Sequence, residues 1–312
     1  MLINTGGRTD IVHFYTPWLL DRFKKGYVYV RNPLYPENVT RFELNPSVVD
    51  CVLFCSKNYA PILPRLTEIT DKFASYFFYT ITAYGRDVEP FVPDIDTSID
   101  TLIKLEKIVG KERIAWRYDP VLLTKHYTIQ QHLITFEHMA ARLSGHVSKC
   151  IFSFVELYKK TRINFPELEE MTDDQKLSLA RGLAEIARKY RIPIQSCALK
   201  EDWSIFGIQK QGCITLTTLS HANSLSFRDL KHTGMRKNCL CMKSSDIGFY
   251  DSCPAGCRYC YANENFEQAK KNYSSHNPSS PVLLGSIGVN DKISYPRQKS
   301  FLEEKELQMD LF

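Results

Sequence analysis

The chain has 312 residues, with 40 lysines and arginines against 35 aspartates and glutamates, and a formal net charge of +5. This length fits one large barrel or two ordinary domains, and so small and scattered a charge excess does not predict a nucleic-acid surface. No run approaches the roughly 20 apolar residues of a membrane span and no secretory signal opens the chain, so we expect a cytoplasmic protein without membrane contact.

Short apolar segments alternate with amphipathic helical patterns over the first two hundred residues, which is typical of a parallel sheet built from strand–helix units. The predicted strands are Leu2 to Asn4, Val49 to Cys55, Tyr76 to Ala83, Ile114 to Tyr118, Cys150 to Val155 and Ile194 to Cys197. The predicted helices are Thr97 to Val109, Ile129 to Leu143 and Thr172 to Tyr190. Glycines and a Thr-x-x-Gln capping box mark their ends. The pattern predicts an α/β fold, a full or partial TIM-like (β/α) barrel over residues 1–200.

In such a barrel the loops after the carboxyl ends of the strands carry the functional site. Gly6, Gly7 and Arg8 follow the first strand, where the glycines let the backbone approach a ligand and the arginine can bind a carboxylate. An ordinary turn explains the same glycines. Arg117 and Asp119 alternate onto one face of the fourth strand, either as pocket residues or as a structural ion pair.

Further polar side chains follow the fifth strand and surround one predicted helix. Glu156 ends that strand and is a candidate catalytic carboxylate together with Asp119, although a solvated strand end would look the same. The histidines are spaced six, six and eight residues apart, which does not place them on one helix face as a metal site requires. We therefore interpret them as surface or packing residues; they are His126, His132, His138 and His146.

Three cysteines in the last third of the chain, Cys253, Cys257 and Cys260, are separated by three and two residues. Four thiolates close a [4Fe-4S] cluster, whereas three leave one iron open to a small molecule. A zinc site that also uses Cys239 and Cys241 is the competing interpretation, although zinc usually takes two Cys-x-x-Cys pairs. For Cys239 and Cys241, a second metal site, a redox pair and shielding of the cluster are three alternatives.

The remaining cysteines lie singly within apolar stretches, where small buried thiols are ordinary core residues. We assign that role to Cys51, Cys55, Cys150, Cys197 and Cys213. From about residue 201 the strand–helix pattern loosens. We therefore predict a cysteine-rich iron–sulfur region over residues 201–300, which forms a cap that completes the active site, and a charged tail over residues 301–312.

The cysteine spacing, with Tyr259 directly before the third cysteine, resembles the signature of the radical S-adenosylmethionine (SAM) superfamily. The resemblance implies that Cys253, Cys257 and Cys260 hold a [4Fe-4S] cluster whose open iron binds SAM, and that reduction splits SAM into a 5'-deoxyadenosyl radical. In that superfamily the cysteines usually follow the first strand, so its SAM-binding positions are not carried over. Tyr259 is the aromatic position of the signature. The remaining cofactor-binding candidates rest on strand-end position: Gly6, Gly7, Arg8 and Arg117.

Nearly the whole chain resembles a bacterial radical-SAM-like family with a C-terminal cluster motif, long known only as a domain of unknown function, in which queuine lyase has a defined activity. The resemblance rests on the opening Ile3-Asn4-Thr5-Gly6-Gly7-Arg8-Thr9-Asp10, on Cys239-x-Cys241, on Asp246-Ile247-Gly248 and on the cysteine triple. It implies cleavage of the C–N bond of queuine to release 7-aminomethyl-7-deazaguanine for queuosine salvage, with electrons from a flavodoxin or ferredoxin. We expect a carboxylate, Asp119 or Glu156, and the donor Arg117 to bind a deazapurine edge, with Tyr84, Trp116 or Tyr118 stacking on it.

Two other function classes are kept beside this one. The C-terminal Gln308-Met309-Asp310-Leu311-Phe312 resembles the peptide by which bacterial repair proteins contact the sliding clamp, which would suit a radical enzyme acting on a damaged nucleic-acid base. A tail that packs on the body explains the same residues. The third class is a non-catalytic zinc or iron–sulfur module that binds RNA, but the chain has no concentrated basic, aromatic surface for it.

Overall fold

The computed structural model describes residues 1–228 and 238–303, so the predicted clamp-binding peptide, residues 308–312, lies outside the described residues. In chain order the strands are β1 (Leu2–Asn4), β2 (Tyr27–Arg31), β3 (Asn38–Glu43), β4 (Cys51–Ser56), β5 (Ser75–Thr80), β6 (Ile114–Val121), β7 (Lys149–Phe154), β8 (Ile194–Ser196), β9 (Gln209–Lys210), β10 (Ser245–Asp246) and β11 (Lys292–Ser294). The α-helices are α1 (Ile11–Phe14), α2 (Thr16–Lys25), α3 (Thr67–Thr70), α4 (Ile95–Val109), α5 (Ile129–Leu143), α6 (Lys159–Asn164), α7 (Asp173–Lys189), α8 (Leu216–Asn223) and α9 (Phe266–Ser274).

Eight strands form one parallel sheet in the order β10-β1-β4-β5-β6-β7-β8-β9. Helices join the successive strands from β4 to β8, as the alternating apolar and amphipathic segments predict. Within the described residues no pairing joins β9 to β10, so the sheet is a partial barrel. The two edge strands come from the segment after residue 200, for which the sequence predicts a cap.

The predicted elements of the first two hundred residues correspond closely to the structure. Each predicted strand matches one of the six strands β1 and β4 to β8, and α5 has the predicted bounds. The capping box of α7 is present, because Thr172 Oγ1 accepts from Gln175 N at 3.2 Å and Thr172 N donates to Gln175 Oε1 at 2.9 Å. A small second sheet, β11-β3-β2, was not predicted.

Two apolar cores cover the two faces of the main sheet. The outer core lies between the sheet and the helices and contains Trp116, whose ring stacks on Phe136 with centroids 4.7 Å apart. The inner core fills the concave side and contains Phe78, Ile151 and Cys213. Successive residues of a strand point to opposite faces, so each strand contributes to both cores.

The predicted stacking role of the aromatic residues at the strand ends is wrong. Trp116 and Tyr118 are fully buried in the outer core, and Tyr84 is buried against Tyr127 and Tyr259. The outward position of Trp116 and Tyr118 follows from the same alternation that turns Arg117 inward. Among the described residues, no helix is long and apolar enough to span a bilayer.

Candidate active site at the cysteine loop

The cysteine loop, residues 253–260, lies beside segments that follow the carboxyl ends of β1 and β5. Arg258 N donates to Val88 O at 3.0 Å, and Phe91 N donates to Ala255 O at 3.2 Å. Gly256 turns the loop with φ 72°, and a Cβ there would lie 3.3 Å from the ring of Phe266. Glycine is suited to this backbone conformation. The loop is therefore fixed at the edge of the sheet where parallel α/β proteins place their sites.

The three thiols of the loop are free and half-buried. Burial raises the pKa of Cys253 to about 12 and also raises the pKa values of Cys257 and Cys260. The charge of Cys260 adds to the rise at Cys253, and both neighbours add to the rise at Cys257, so the three thiols lie within electrostatic reach of one another. Cys260 Sγ accepts from Ala262 N at 3.3 Å.

These features fit a thiolate-bound iron centre in donor type and number. A positive metal ion would offset the burial and mutual repulsion that keep the thiols protonated, and N–H groups aimed at sulfur are common around iron–sulfur clusters. Across residues 1–228 and 238–303, no three His, Cys, Asp or Glu side chains already form a metal-binding group. The donor set is thus complete for a three-cysteine site, while its side chains would need to turn toward the metal.

A buried ion pair lies next to Cys257. Lys57, directly after β4, places Nζ 2.9 Å from Glu89 Oε1, and their side chains are 14% and 4% exposed. Glu89 Oε1 also accepts from Thr82 Oγ1 at 2.7 Å and from the Tyr259 hydroxyl. Burial opposes the charge of Lys57, but the charges of Glu89 and Cys257 outweigh it and raise the lysine pKa. The Glu89 carboxylate therefore connects the segments after β4 and β5 to the cysteine loop.

Asp10 occupies the corresponding position after β1. Its Oδ2 accepts from Lys57 N at 2.8 Å, and its Oδ1 accepts from Ser56 Oγ at 2.7 Å. The charge of Asp10 contributes to the raised pKa of Cys253, after the larger effect of burial. Sequence reasoning missed Asp10, Lys57 and Glu89 as site residues. Lys57 and Asp10 could have been found, since each follows a predicted strand within six residues.

The predicted glycines after β1 permit close approach to other parts of the chain. A Cβ at Gly6 would lie 2.1 Å from Cys55 O, and one at Gly7 would lie 2.5 Å from Asp246 Oδ2. Gly7 N donates to the same Asp246 oxygen at 2.6 Å. Arg8 lies with its guanidinium carbon 5.7 Å from the ring centre of Tyr250. The glycines thus fit β1 between β4 and β10, and they bring Asp246 to the mouth of the barrel.

The other predicted strand-end residues separate into an inner pair and a rim residue. Arg117 and Asp119 form an ion pair on the inner face, where Ser153 also donates to Asp119. Burial opposes the charge of Arg117, and the charge of Asp119 raises its pKa. Glu156 is exposed at the rim and accepts from the Tyr158 hydroxyl.

Tyr261, directly after the cysteine triple, connects the loop to the mouth of the barrel. Its hydroxyl donates to Gly7 O at 2.5 Å, and its ring centre lies 6.4 Å from that of Tyr158. Burial raises its pKa, the charges of Cys260 and Asp246 add to the rise, and Arg117 opposes it. The Tyr261 side chain therefore lies within electrostatic reach of both the thiols and the inner ion pair. Sequence reasoning missed this residue.

A cavity of about 440 Å³ lies beside the loop, on the side of Arg258. Arg258 pairs with Glu167 at 2.6 Å, and its guanidinium carbon lies 4.3 Å from the ring centre of Phe165. Tyr127 donates to Asp87 Oδ1 at 2.7 Å on the same wall. The cavity wall therefore includes a residue of the cysteine loop.

A family model described as "Domain of unknown function (DUF1848)" matches residues 2–262 of this chain. The matched segment contains the main sheet and ends two residues after the last cysteine of the loop. No curated protein and no solved structure matches the chain.

Proposed function

The chain belongs to the DUF1848 family, whose function is unknown, and we propose that it is a radical SAM enzyme that cleaves queuine. The observation that carries the radical SAM proposal is the cysteine loop: three free thiols spaced by three and two residues, held beside strand ends of a parallel sheet. Cys253, Cys257 and Cys260 would hold a [4Fe-4S] cluster. The cluster and SAM would supply a carbon-centred radical when bound.

The chain's own contribution next to the loop is to hold charge and protons in place. The Lys57 and Glu89 pair is shielded from water, and Tyr259 donates to the same carboxylate. Such a fixed network binds and orients polar groups without reorganising, which is how protein sites favour charged reaction states. It also gives the Tyr259 ring one orientation at the base of the loop.

The inner ion pair and the rim favour a flat, polar substrate. A deazaguanine edge offers N–H donors and one carbonyl, which match the carboxylate of Asp119 and the guanidinium of Arg117. The ring of Tyr261, half-exposed and within electrostatic reach of Arg117, offers a stacking surface in place of the buried Trp116 and Tyr118. Of the two catalytic candidates, the geometry favours Asp119 over the exposed Glu156.

The direct test is anaerobic reconstitution with iron and sulfide, followed by dithionite, SAM and either queuine or buffer. We expect 5'-deoxyadenosine and 7-aminomethyl-7-deazaguanine to appear together by mass spectrometry, and both to fall to background in Cys257→Ala. Cys51→Ala is the matched control, because Cys51 is buried in the inner core away from the loop. It should retain both products.

The possible outcomes separate the parts of the proposal. Deoxyadenosine without the base product would retain the radical SAM enzyme and reject queuine, and damaged nucleic-acid bases would be the next substrates to assay. Protein that binds zinc but no iron at the loop, with neither product formed, would reject the proposal as a whole.

A further inference from the structure

A second group of cysteines converges inside the barrel, away from the cysteine loop. Cys197 follows β8, Cys213 follows β9, and Cys239 and Cys241 precede β10. Three of the four are buried in the inner core and Cys239 packs against it. The sequence gives no sign of this convergence, because Cys197 and Cys213 stand alone in apolar stretches. We call these residues the inner thiol group.

The inner thiols lie close to one another. The Cys213 thiol interacts with the thiols of Cys197 and Cys241 and shifts their pKa values downward. Cys241 Sγ also accepts from Cys213 N at 3.1 Å and from Ile214 N at 3.5 Å, and Cys241 N donates to Cys239 Sγ at 3.4 Å. N–H groups aimed at sulfur stabilise cysteine as a thiolate, the form in which it binds a metal.

The two segments that carry three of these thiols are packed backbone against backbone. A Cβ at Gly212 would lie 2.3 Å from Leu240 O, so a larger residue would force the segments apart. Met242 N donates to Ile214 O at 2.8 Å on the other side of Cys241. This close packing holds Cys213 and Cys241 on neighbouring segments, with the amide of Cys213 aimed at the sulfur of Cys241.

Two cations face the inner thiol group. Arg117 lies within electrostatic reach of Cys197 and Cys213, and Lys149 lies within reach of Cys213 and Cys241. Lys149 Nζ hydrogen-bonds to the neutral oxygen Gln195 Oε1 at 3.0 Å. Four thiolates around a divalent ion leave two negative charges, which Lys149 offsets in part, together with Arg117, whose charge is shared with Asp119.

We propose that Cys197, Cys213, Cys239 and Cys241 form a structural site for one zinc ion, which ties residues 197–214 and 238–242 to the inner core. Four sulfur ligands in tetrahedral coordination are the usual structural zinc site. No three of these side chains have metal-ligand geometry among the residues described, so binding requires them to turn about χ1. The site does not depend on the proposed radical chemistry, since the two thiol groups share no residue.

The test uses the full chain carrying Cys253→Ala, Cys257→Ala and Cys260→Ala, so that the loop cannot hold any metal. Elemental analysis after growth with zinc should find about one zinc ion per chain and no stoichiometric iron. Adding Cys213→Ser or Cys241→Ser should remove the zinc. Adding Cys51→Ala, which changes a cysteine of the same core outside the thiol contacts, should leave it bound.

Absence of zinc from the triple variant would overturn the proposal, and so would zinc retained in both serine variants. Stoichiometric iron with sulfide, or a Cys213–Cys241 disulfide found by mass spectrometry of the triple variant, would also overturn it. If the serine variants do not fold, the thiols of the triple variant are titrated with a mercurial reagent while a zinc indicator records the release of zinc. Zinc should be released as roughly four thiols react, and release independent of thiol titration would reject the site.

Discussion

The two faces of strand β6 have opposite chemistry, although their residues alternate along one short segment. On the outer face, Trp116 and Tyr118 are fully buried among rings and aliphatic side chains. On the inner face, Arg117 and Asp119 form an ion pair within reach of several thiols. Burying charge is unfavourable unless the groups are paired, so a fold that needed only stability would fill both faces with apolar residues.

The two faces of the whole sheet differ in the same way. The outer face packs against helices and carries the main apolar core, whereas the inner face and the carboxyl-end loops carry the paired charges and nine of the ten cysteines. We infer that apolar burial stabilises the outer face, whereas the inner face and its mouth depend on the pairing of buried charges. Substitutions at the mouth should therefore act by leaving a buried charge without its partner, and substitutions on the outer face by altering groups that are buried among apolar side chains.

The largest effect is expected at the mouth of the barrel, for Glu89→Ala. The substitution leaves the buried ammonium of Lys57 without its carboxylate and removes the acceptor of Thr82 and Tyr259. Removing one partner of a buried pair lowers the free energy of unfolding by about 3–5 kcal/mol. Chemical denaturation of the protein and the variant measures this change.

An exposed carboxylate provides the control. Glu68→Ala breaks an ion pair with Arg65 in which both side chains are about half exposed, and it should change the free energy of unfolding far less than Glu89→Ala does, because solvent screens exposed pairs. In the Glu89→Ala background, Lys57→Met removes the unpaired charge and should restore part of the loss. Equal effects of Glu89→Ala and Glu68→Ala would show that the mouth charges are not shielded as the structure indicates.

Local patterns were sufficient to predict most of the main sheet and the shared face of Arg117 and Asp119. Strand periodicity of two fixes which residues share a face, but strand-end position alone does not say which face is open, so Trp116 and Tyr118 were wrongly assigned to stacking. Glu89 was missed because it follows β5 by nine residues, in a loop whose course depends on contacts with Lys57 and the cysteine loop.

The second sheet and the inner thiol group could not be predicted, because both depend on contacts between distant parts of the chain. The small second sheet joins β3 to β11, two segments about 250 residues apart in the chain, and no local pattern specifies that pairing. The inner thiol group likewise combines three distant segments, so single cysteines in apolar stretches were interpreted as core residues. Their mutual contacts appear only once β8, β9 and β10 are assembled.

On the outer face, the next largest effect is a pH dependence that comes from His132. Its Nε2 lies 2.7 Å from Leu122 O and its Nδ1 lies 2.6 Å from the Tyr118 hydroxyl. Burial lowers the pKa of His132 to about 4, below the value near 6.5 of an unfolded chain. Between these pH values the unfolded chain binds a proton that the folded chain does not, so the free energy of unfolding falls as the pH falls.

The expected slope from this one histidine is about 1.4 kcal/mol per pH unit within that window. His132→Gln should flatten the curve between pH 6.5 and pH 4, and the same change at the exposed His126 should leave the slope as it is. Denaturation at several pH values compares the three proteins. A curve that is unchanged in His132→Gln would place the acid sensitivity elsewhere, and the inner carboxylates would be the next groups to vary.

The smallest effect on stability is expected at the rim. Substitutions there and on the inner face distinguish the two candidate catalytic carboxylates, Glu156 and Asp119. Glu156→Gln alters an exposed side chain and should change the free energy of unfolding by less than about 0.5 kcal/mol. If substrate binds against the inner face, this variant should also keep its kcat/KM in the reconstituted assay. Asp119→Asn removes a charged acceptor beside Arg117, and the loss of one charge-assisted hydrogen bond should lower kcat/KM by about 10- to 100-fold.

The two variants together test whether the substrate binds on the inner face of strand β6. A larger loss of kcat/KM in Glu156→Gln than in Asp119→Asn would place the substrate at the rim, outside the partial barrel. The inner ion pair would then be a structural feature, with Arg117 and Asp119 retained to balance each other and the nearby thiols. A larger loss of kcat/KM in Asp119→Asn than in Glu156→Gln would support binding on the inner face. Both substitutions replace a carboxylate by an amide, so the difference would come from where the two side chains lie.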